Sequence, residues 1–182
     1  MSLEQEQAPK VTVRDAIESD VPAILKMHAQ SWLDTYPNED AGVSHEWVKA
    51  KVGKWDSDEN IERRRDFIRR CKGDPNVMYK VAENDDGGIV GIIAPFRNEE
   101  TQRVGAIYVD KAYYGSGLAQ QLMDEIITWS DRSRPLELEV ASYNERAKSF
   151  YRKYGFKEVQ GSEHLAYETL PVITMIRKGD KQ

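Results

Sequence analysis

The segment that decides the fold is Ile107-Tyr-Val-Asp-Lys-Ala-Tyr-Tyr-Gly-Ser-Gly-Leu-Ala-Gln120. It has the pattern of a strand that runs into a short loop, after which two glycines, Gly115 and Gly117, open a helix. The first turn of a helix presents unpaired N–H groups at the positive end of the helix dipole. Glycine has no Cβ, so a ligand can approach its backbone closely. The segment therefore predicts a binding site for a phosphate or a diphosphate.

Two familiar nucleotide-binding motifs fit this segment poorly. A P-loop is excluded because neither Lys-Ser nor Lys-Thr follows the glycines. A dinucleotide-binding fingerprint is incomplete, because Gln120 stands at its third glycine position, and it would normally belong to an early parallel strand–helix–strand unit. A nucleotide-dependent oxidoreductase is therefore disfavoured. Taken alone, the segment is equally compatible with a glycine-rich turn that only begins a helix.

Hydrophobic periodicity and turn residues predict the elements on both sides of this segment. The predicted strands are Val11–Asp15, Val77–Ala82, Ile89–Phe96, Arg103–Val109, Leu136–Ala141, Phe156–Val159 and Tyr167–Ile176. The predicted helices run from a cap at Ser19 or Asp20 to before Pro37, through 44–70 with a break at 54–57, over Leu118–Trp129, and from Asn144 to Gly155. An antiparallel meander followed by a strand–helix–strand crossover predicts an α/β fold of mixed α+β type, with helices on both faces of a mixed sheet.

Length and composition favour one globular domain. The chain has 182 residues; we expect a single domain over 11–178 and a disordered tail, Met1–Lys10, without the features of a secretion signal. No apolar stretch reaches the ~18 residues of a membrane span, and Cys71 is the only cysteine, so we expect a cytoplasmic protein. Scattered histidines predict no metal site, and a net charge of −5 argues against a nucleic-acid partner. A monomer and a homodimer are both compatible with the sequence.

A second motif, Leu138-Glu-Val-Ala-Ser-Tyr-Asn-Glu-Arg-Ala-Lys-Ser-Phe-Tyr-Arg-Lys-Tyr-Gly-Phe156, follows the first. Together the two segments resemble the two signatures of the GNAT superfamily of acetyl-CoA-dependent N-acetyltransferases. Gly117 and Ala119 match the family's diphosphate loop, whereas Tyr114 stands where that loop usually has Gln or Arg. The matching residues of the second signature are Asn144, Ala147, Tyr151, Gly155 and Phe156. The resemblance implies a GNAT-type central, mostly antiparallel sheet of about seven strands.

The resemblance also implies where acetyl-CoA, the expected co-substrate, binds. The backbone of 107–109 would pair with the pantetheine arm like an added strand, and the Val109 amide would face the thioester carbonyl. The loop and the first helical turn would hold the diphosphate, and Asn144, which is also a favourable helix N-cap, would bond to the pantetheine. The implied cofactor-binding residues are Ile107, Tyr108, Val109, Gly115, Ser116, Gly117, Leu118, Ala119, Gln120 and Asn144.

Two residues of the second motif are candidates for the proton transfers of acetyl transfer to an amine. Tyr151 lies two helical turns beyond Asn144, and its phenol, with an ordinary pKa near 10, is a candidate proton donor to the departing thiolate. The alternative is a tyrosine that only packs in the core. Glu139 is the candidate general base, by similarity to the ribosomal-protein alanine N-acetyltransferases, a role that burial near an opening of the sheet would favour. The alternative is the solvent face of a half-buried strand, since Leu138 and Val140 flank it.

The expected reaction is the transfer of an acetyl group from acetyl-CoA to a primary amine of a small molecule or of a peptide or protein. The amine attacks directly, so no covalent nucleophile and no metal are needed. On the acceptor side the candidates are His28, Trp32 and Tyr36 on the first helix, and Tyr108, which lines the pocket or relays a proton through water. A catalytically silent acyl-CoA-binding module would carry the same two motifs and stays open as the alternative.

Overall fold

The computed structural model describes residues 10–180. Residues 1–9 of the predicted tail lie outside this range, and Lys10 is exposed next to the first strand. The helices are α1 (Val21–Thr35), α2 (His45–Val52), α3 (Asp58–Cys71), α4 (Leu118–Trp129) and α5 (Glu145–Lys153). The strands are β1 (Val11–Asp15), β2 (Lys80–Asn84), β3 (Ile89–Arg97), β4 (Gln102–Val109), β5 (Leu136–Ala141), β6 (Lys157–Glu158), β7 (His164–Ala166) and β8 (Leu170–Arg177).

The strands of this range form one sheet in the order β1-β2-β3-β4-β5-β8-β6, with β7 paired to β8. β4 and β5 are parallel, and the other pairings are antiparallel. Parallel neighbours need a crossover connection, and α4 supplies it. The prediction of a mixed, mostly antiparallel sheet is confirmed, and the described sheet has eight strands.

The sheet separates two apolar layers, so the predicted helices on both faces are also confirmed. On one face α4 contributes Leu122 and Ile126 to a cluster that also holds Phe156, at the end of the second motif. On the other face α1 and α3 pack on the sheet through Ile24 and Ile68. Within residues 10–180, none of the helices combines the length and the apolar character that crossing a bilayer requires.

Local hydrogen bonds explain where the helices begin. Ser44 and Ser57 each accept a bond from the backbone N–H three residues later, which satisfies one of the free donors of the first turn. Asp20, one of the two predicted caps of α1, makes no such bond. Its carboxylate instead accepts from the Ile17 N–H at 2.8 Å and from the Arg14 guanidinium at 2.7 and 2.9 Å. The predicted start of α1 is therefore correct, but the predicted capping interaction is wrong.

Two strands begin three residues later than predicted. Val77 makes only an isolated bridge, and β2 begins at Lys80. The strand predicted over Tyr167–Ile176 starts too early, because Tyr167 and Glu168 have φ of 52° and 63° and form the turn between β7 and β8. Residues other than glycine seldom adopt this left-handed conformation, and no glycine marks the turn. The short strand β7 was therefore not predicted.

β4 and β5 share a single paired position, Arg103 with Glu137. Just beyond it, β4 places two residues, Gly105 and Ala106, opposite the single Ala94 of β3, which is a β-bulge. A Cβ at Gly105 would lie 2.7 Å from the Ala94 carbonyl oxygen, closer than contact distance, so glycine is required there. Because a bulge bends its strand, β4 leaves β5 after this point and a V-shaped cleft opens between them.

Candidate active site

The opening between β4 and β5 is a cleft of about 490 Å³. Its walls come from both strands, from the loop before α4, from one side of α5 and from the C-terminal half of α1. The cleft thus brings the two sequence motifs together. The predicted site residues that line it are Ile107, Tyr108, Val109, Gly115, Gly117, Ala119, Gln120, Glu139, Asn144 and Tyr151. Ser116 and Leu118 are not part of the lining.

β4 directs backbone donors into the cleft. The Asp110 N–H donates to the Val90 carbonyl of β3 at 2.8 Å. The next pair along the two strands is Gly91 opposite Val109. Successive amides of a strand point to opposite sides. The N–H groups of Val109 and Ile107 therefore point away from β3, to the side where β5 does not pair with β4. These donors are available to a ligand.

The loop before α4 leaves room for a ligand against its backbone. Gly115 and Gly117 have φ of 80° and 90°, and a Cβ at either position would meet no atom within 4 Å. The Ser116 hydroxyl is used within the loop, where it donates to the Tyr113 carbonyl at 2.7 Å and accepts from the Leu118 N–H at 3.3 Å. The Leu118 side chain is buried in the core, so only its backbone faces the loop.

Asn144 begins α5 and borders the cleft. Its Oδ1 accepts from the Ala147 N–H at 3.0 Å, which confirms the predicted N-cap. Its Nδ2 makes no hydrogen bond within residues 10–180, so the side chain can cap the helix and donate to a ligand at the same time.

Tyr151 lies two turns further along α5, with its ring buried against Phe150 and Phe156. Burial raises the pKa of Tyr151 above its ordinary value, and the nearby Tyr108 phenol adds to the shift. The hydroxyl has no hydrogen-bond partner in the described part of the chain. It is therefore protonated at neutral pH and available as a donor to a ligand in the cleft.

Glu139 lies on β5 near the narrow end of the V. Leu138 and Val140 beside it are buried, whereas the Glu139 side chain is 38% exposed, so the burial that would favour a base is absent. Its Oε1 accepts from Arg103 Nη2 at 2.9 Å, and His164 Nε2 lies 3.7 Å from the same oxygen. Oε2 has no polar partner among residues 10–180. Of the described residues that line the cleft, Glu139 is the only carboxylate.

α1 contributes an aromatic, hydrogen-bonded wall. The Trp32 indole N–H donates to His28 Nε2 and to the Tyr108 hydroxyl, both at 3.1 Å, and the hydroxyls of Tyr108 and Tyr36 are 2.8 Å apart. Burial raises the pKa of Tyr108 to about 12 and that of Tyr36 well above its ordinary value. Tyr36 and Tyr108 line the cleft, while His28 and Trp32 stand behind them. The predicted acceptor-side residues thus come together as a neutral wall.

Several residues that line the cleft or contact the α1 aromatic wall were not predicted. Tyr143 donates its hydroxyl to the Tyr36 carbonyl at 2.5 Å, and the ring of Tyr167 packs near the α1 aromatic residues. Arg146 and Lys153 line the cleft from α5. Their spacing of seven residues, which puts them on one side of a helix, is the signal from which they could have been found.

Among the described residues, the cleft is lined by neither a group of metal ligands nor a cysteine. Across residues 10–180, no three side chains of His, Cys, Asp or Glu converge to hold a metal ion. Cys71 ends α3 and is not among the residues that line the cleft, and burial raises the pKa of its thiol. It is therefore not placed to attack a ligand held in the cleft.

Comparisons with known proteins agree with this geometry. Residues 75–158 match the family model of the acetyltransferase (GNAT) domain. No curated protein matches the sequence. The structure of the PaiA N-acetyltransferase from Thermoplasma acidophilum, in complex with coenzyme A, is 20% identical, covers 93% of this chain and 99% of that chain, and has a TM-score of 0.74.

Two further solved structures share the fold over most of their length. YncA, a putative acetyltransferase from Salmonella typhimurium with its cofactor acetyl-CoA, is 18% identical, with 95% of this chain and 96% of that chain covered and a TM-score of 0.68. The ribosomal-protein-alanine N-acetyltransferase of Brucella melitensis is 21% identical, with 92% and 99% covered and a TM-score of 0.65. At these identities the likeness concerns the fold.

His28 should give the stability of the protein a measurable pH dependence. Its side chain is buried, and desolvation, with a contribution from Arg64, lowers its pKa from 6.5 to about 3. Below pH 6.5 the unfolded chain binds a proton that the folded chain does not bind. The free energy of unfolding should therefore fall as the pH drops toward 3, by up to about 1.4 kcal/mol per pH unit from this residue. His28→Gln should flatten the pH dependence measured by urea unfolding.

The matched control is His45→Gln, which removes an exposed histidine. It should keep the wild-type dependence of unfolding free energy on pH. Equal slopes for wild type and His28→Gln would contradict the assignment of His28 as a buried neutral residue.

Proposed function

We propose that this chain is a GNAT acetyltransferase, which the family-model match over residues 75–158 supports, and that it transfers the acetyl group of acetyl-CoA to a primary amine of a small molecule or of a peptide or protein. The observation that carries the proposal is the cleft between β4 and β5, in which both motifs meet. Two of the similar structures hold coenzyme A or acetyl-CoA, which supports the choice of donor.

The chain's own groups suit acetyl-CoA at three places. The free N–H groups of β4 suit the amides of the pantetheine arm, and the Asn144 Nδ2 can donate to a pantetheine carbonyl. The N–H groups of Ala119 and Gln120 have no partner within residues 10–180 and suit the diphosphate at the start of α4. A thioester carbonyl that faces the Val109 N–H would have a donor for the negative charge that develops on its oxygen.

Tyr151 would serve the departing thiolate. Its hydroxyl borders the cleft and keeps its proton at neutral pH, because burial raises its pKa. A neutral donor of this kind can donate a hydrogen bond or a proton to the sulfur as the C–S bond breaks.

Glu139 is the base that the proposal uses. Its Oε2 is free of protein partners among residues 10–180, and no histidine of that range lines the cleft. The register of β4 and β5 sets it level with Gly105, four residues before Val109, which is about 13 Å along an extended strand. An amine that attacks beside Val109 would therefore pass its proton to Oε2 through water. The phenols of Tyr36 and Tyr108 can relay hydrogen bonds along that route, but their raised pKa values prevent them from acting as bases at neutral pH.

The proposal is tested by turnover of acetyl-CoA with a panel of amines, followed through the release of free CoA thiol. The panel should contain a polyamine, an aminoglycoside, an amino-acid-like metabolite and a peptide with a free N-terminus. We expect turnover with at least one amine. Binding of acetyl-CoA without turnover of any amine would instead indicate a silent acyl-CoA-binding module, and absence of binding would overturn the proposal.

Gly117→Ala tests the position of the diphosphate. The new methyl group would enter open space in the protein and collide only with a ligand held against the loop. We expect the affinity for acetyl-CoA, measured by calorimetry, to fall by at least about tenfold. Gly161→Ala is the matched control, because Gly161 also has positive φ (75°) and open space but lies outside the cleft. Both variants should lose a similar ~1 kcal/mol of stability, and equal affinities would contradict the placement.

Tyr151→Phe tests the proton donor. We expect kcat to fall by roughly 10²–10⁴ while the affinity for acetyl-CoA changes little, because only the hydroxyl is removed. Tyr79→Phe is the matched control: Tyr79 is equally buried, but its hydroxyl accepts a bond from Arg64 away from the cleft. A Tyr151→Phe variant with full kcat would reduce Tyr151 to a packing residue.

Glu139→Gln tests the base. Glutamine can keep the bond from Arg103 but cannot take a proton at neutral pH. The variant should lose activity near neutral pH and recover part of it at high pH, where unprotonated amine accumulates, so the acidic limb of the kcat/KM profile should change. Glu137→Gln, on the same side of β5 but outside the cleft lining, should keep the wild-type profile. A Glu139→Gln profile that overlays the wild type would place the base elsewhere.

A further inference from the structure

Two basic side chains, Arg146 and Lys153, lie among the described residues that line the cleft. They are seven residues apart on α5, so they leave the same side of the helix. Arg152, on the same helix, pairs with Glu145 and Glu158. Arg146 has no carboxylate partner within residues 10–180. Its charge is therefore not neutralised by the part of the chain that the structure describes.

Arg146 is held beside the glycine loop by an aromatic contact. Its guanidinium carbon lies 3.8 Å from the centroid of the Tyr114 ring, and Tyr114 directly precedes Gly115. A cation at this distance is attracted to the ring face. Within residues 10–180 the N–H groups around the edge of the guanidinium make no hydrogen bond, and their fork matches the spacing of phosphate oxygens.

We propose that Arg146, positioned by Tyr114, binds the diphosphate of acetyl-CoA. The inference rests on the proposed function, which brings a diphosphate to this loop. The part of the loop that borders the cleft, residues 113–120, contains no Lys or Arg, and Lys111 before it does not line the cleft. This part therefore offers backbone N–H groups and a helix dipole but no full positive charge. Arg146 supplies that charge from the neighbouring helix. Tyr114 is a positioning residue, because its ring limits the freedom that the guanidinium would lose on binding.

The experiment compares the affinities of acetyl-CoA and of acetyl-dephospho-CoA, which keeps the diphosphate but lacks the 3′-phosphate, by calorimetry. Arg146→Ala should weaken both by the same factor, about 10- to 100-fold, the value expected for hydrogen bonds between charged groups. Arg146→Lys should recover part of the affinity, because it keeps the charge and loses the fork. Arg152→Ala, the matched control on the exposed side of α5, should bind both as the wild type does.

A double-mutant cycle tests the role of Tyr114. Tyr114→Phe keeps the ring and should keep the affinity, whereas Tyr114→Leu should weaken both ligands several-fold. In the Arg146→Ala background, Tyr114→Leu should have no further effect. An independent effect of Tyr114→Leu in that background would overturn its assignment as a positioning residue.

Each remaining outcome separates this inference from the proposed function. If the wild type binds acetyl-CoA and Arg146→Ala binds it equally well, the inference fails and the proposed function stands. A loss confined to acetyl-CoA would assign Arg146 to the 3′-phosphate and overturn the inference. If Arg146→Ala loses activity by the same factor with S-acetylpantetheine, which has no diphosphate, the loss indicates general damage to the site. That outcome would also overturn the inference. A wild type that binds no acetyl-CoA would overturn both.

Discussion

β4 and β5 share one paired position, Arg103 with Glu137, and the bulge at Gly105 then carries β4 away from its neighbour. Backbone N–H and C=O groups require partners, so two strands that separate inside a sheet expose edges that an extended ligand can pair with. The loop to α4 follows the end of β4, and α5 follows the end of β5. Chain connectivity therefore places both motifs at the same opening, although Asn144 follows Gly117 by 27 positions in the sequence.

The surroundings of this opening divide the ionisable groups into two kinds. Tyr36, Tyr108 and Tyr151 border it from three elements, and burial raises the pKa of each, so each phenol keeps its proton at neutral pH. Glu139 is partly exposed, and its Oε2 has no polar partner within residues 10–180, which is why the proposal assigns it the proton of the amine. Because Glu139 is in contact with solvent, a proton can reach it through water. A base in direct contact with the amine would not need this route.

Local chemistry decides the features that the sequence analysis predicted best. The limits of α4, Leu118–Trp129, and of β5, Leu136–Ala141, were both correct, because a glycine loop and Pro135 mark their starts. The missed features depend on contacts between distant residues. The ion pair of Glu139 is with Arg103, 36 residues earlier in the sequence. The turn at Tyr167 has positive φ, which a tyrosine does not predict. The cofactor- and proton-transfer residues were found by resemblance, and all of them except Ser116 and Leu118 line one cleft, but their roles stay predictions.

The departure at Tyr114 is the place where sequence and structure lead to different expectations. Judged by the loop alone, a tyrosine where GNAT proteins usually have Gln or Arg indicates a weaker site for a diphosphate. The fold brings Arg146 onto that tyrosine from a helix 32 positions later in the chain. An aromatic ring attracts a guanidinium, whereas a second arginine at 114 would repel it. Tyr114 thus lacks the polar group that Gln or Arg would bring to the loop, but its ring can hold the Arg146 guanidinium beside the loop. The departure from the pattern is therefore compatible with the same ligand.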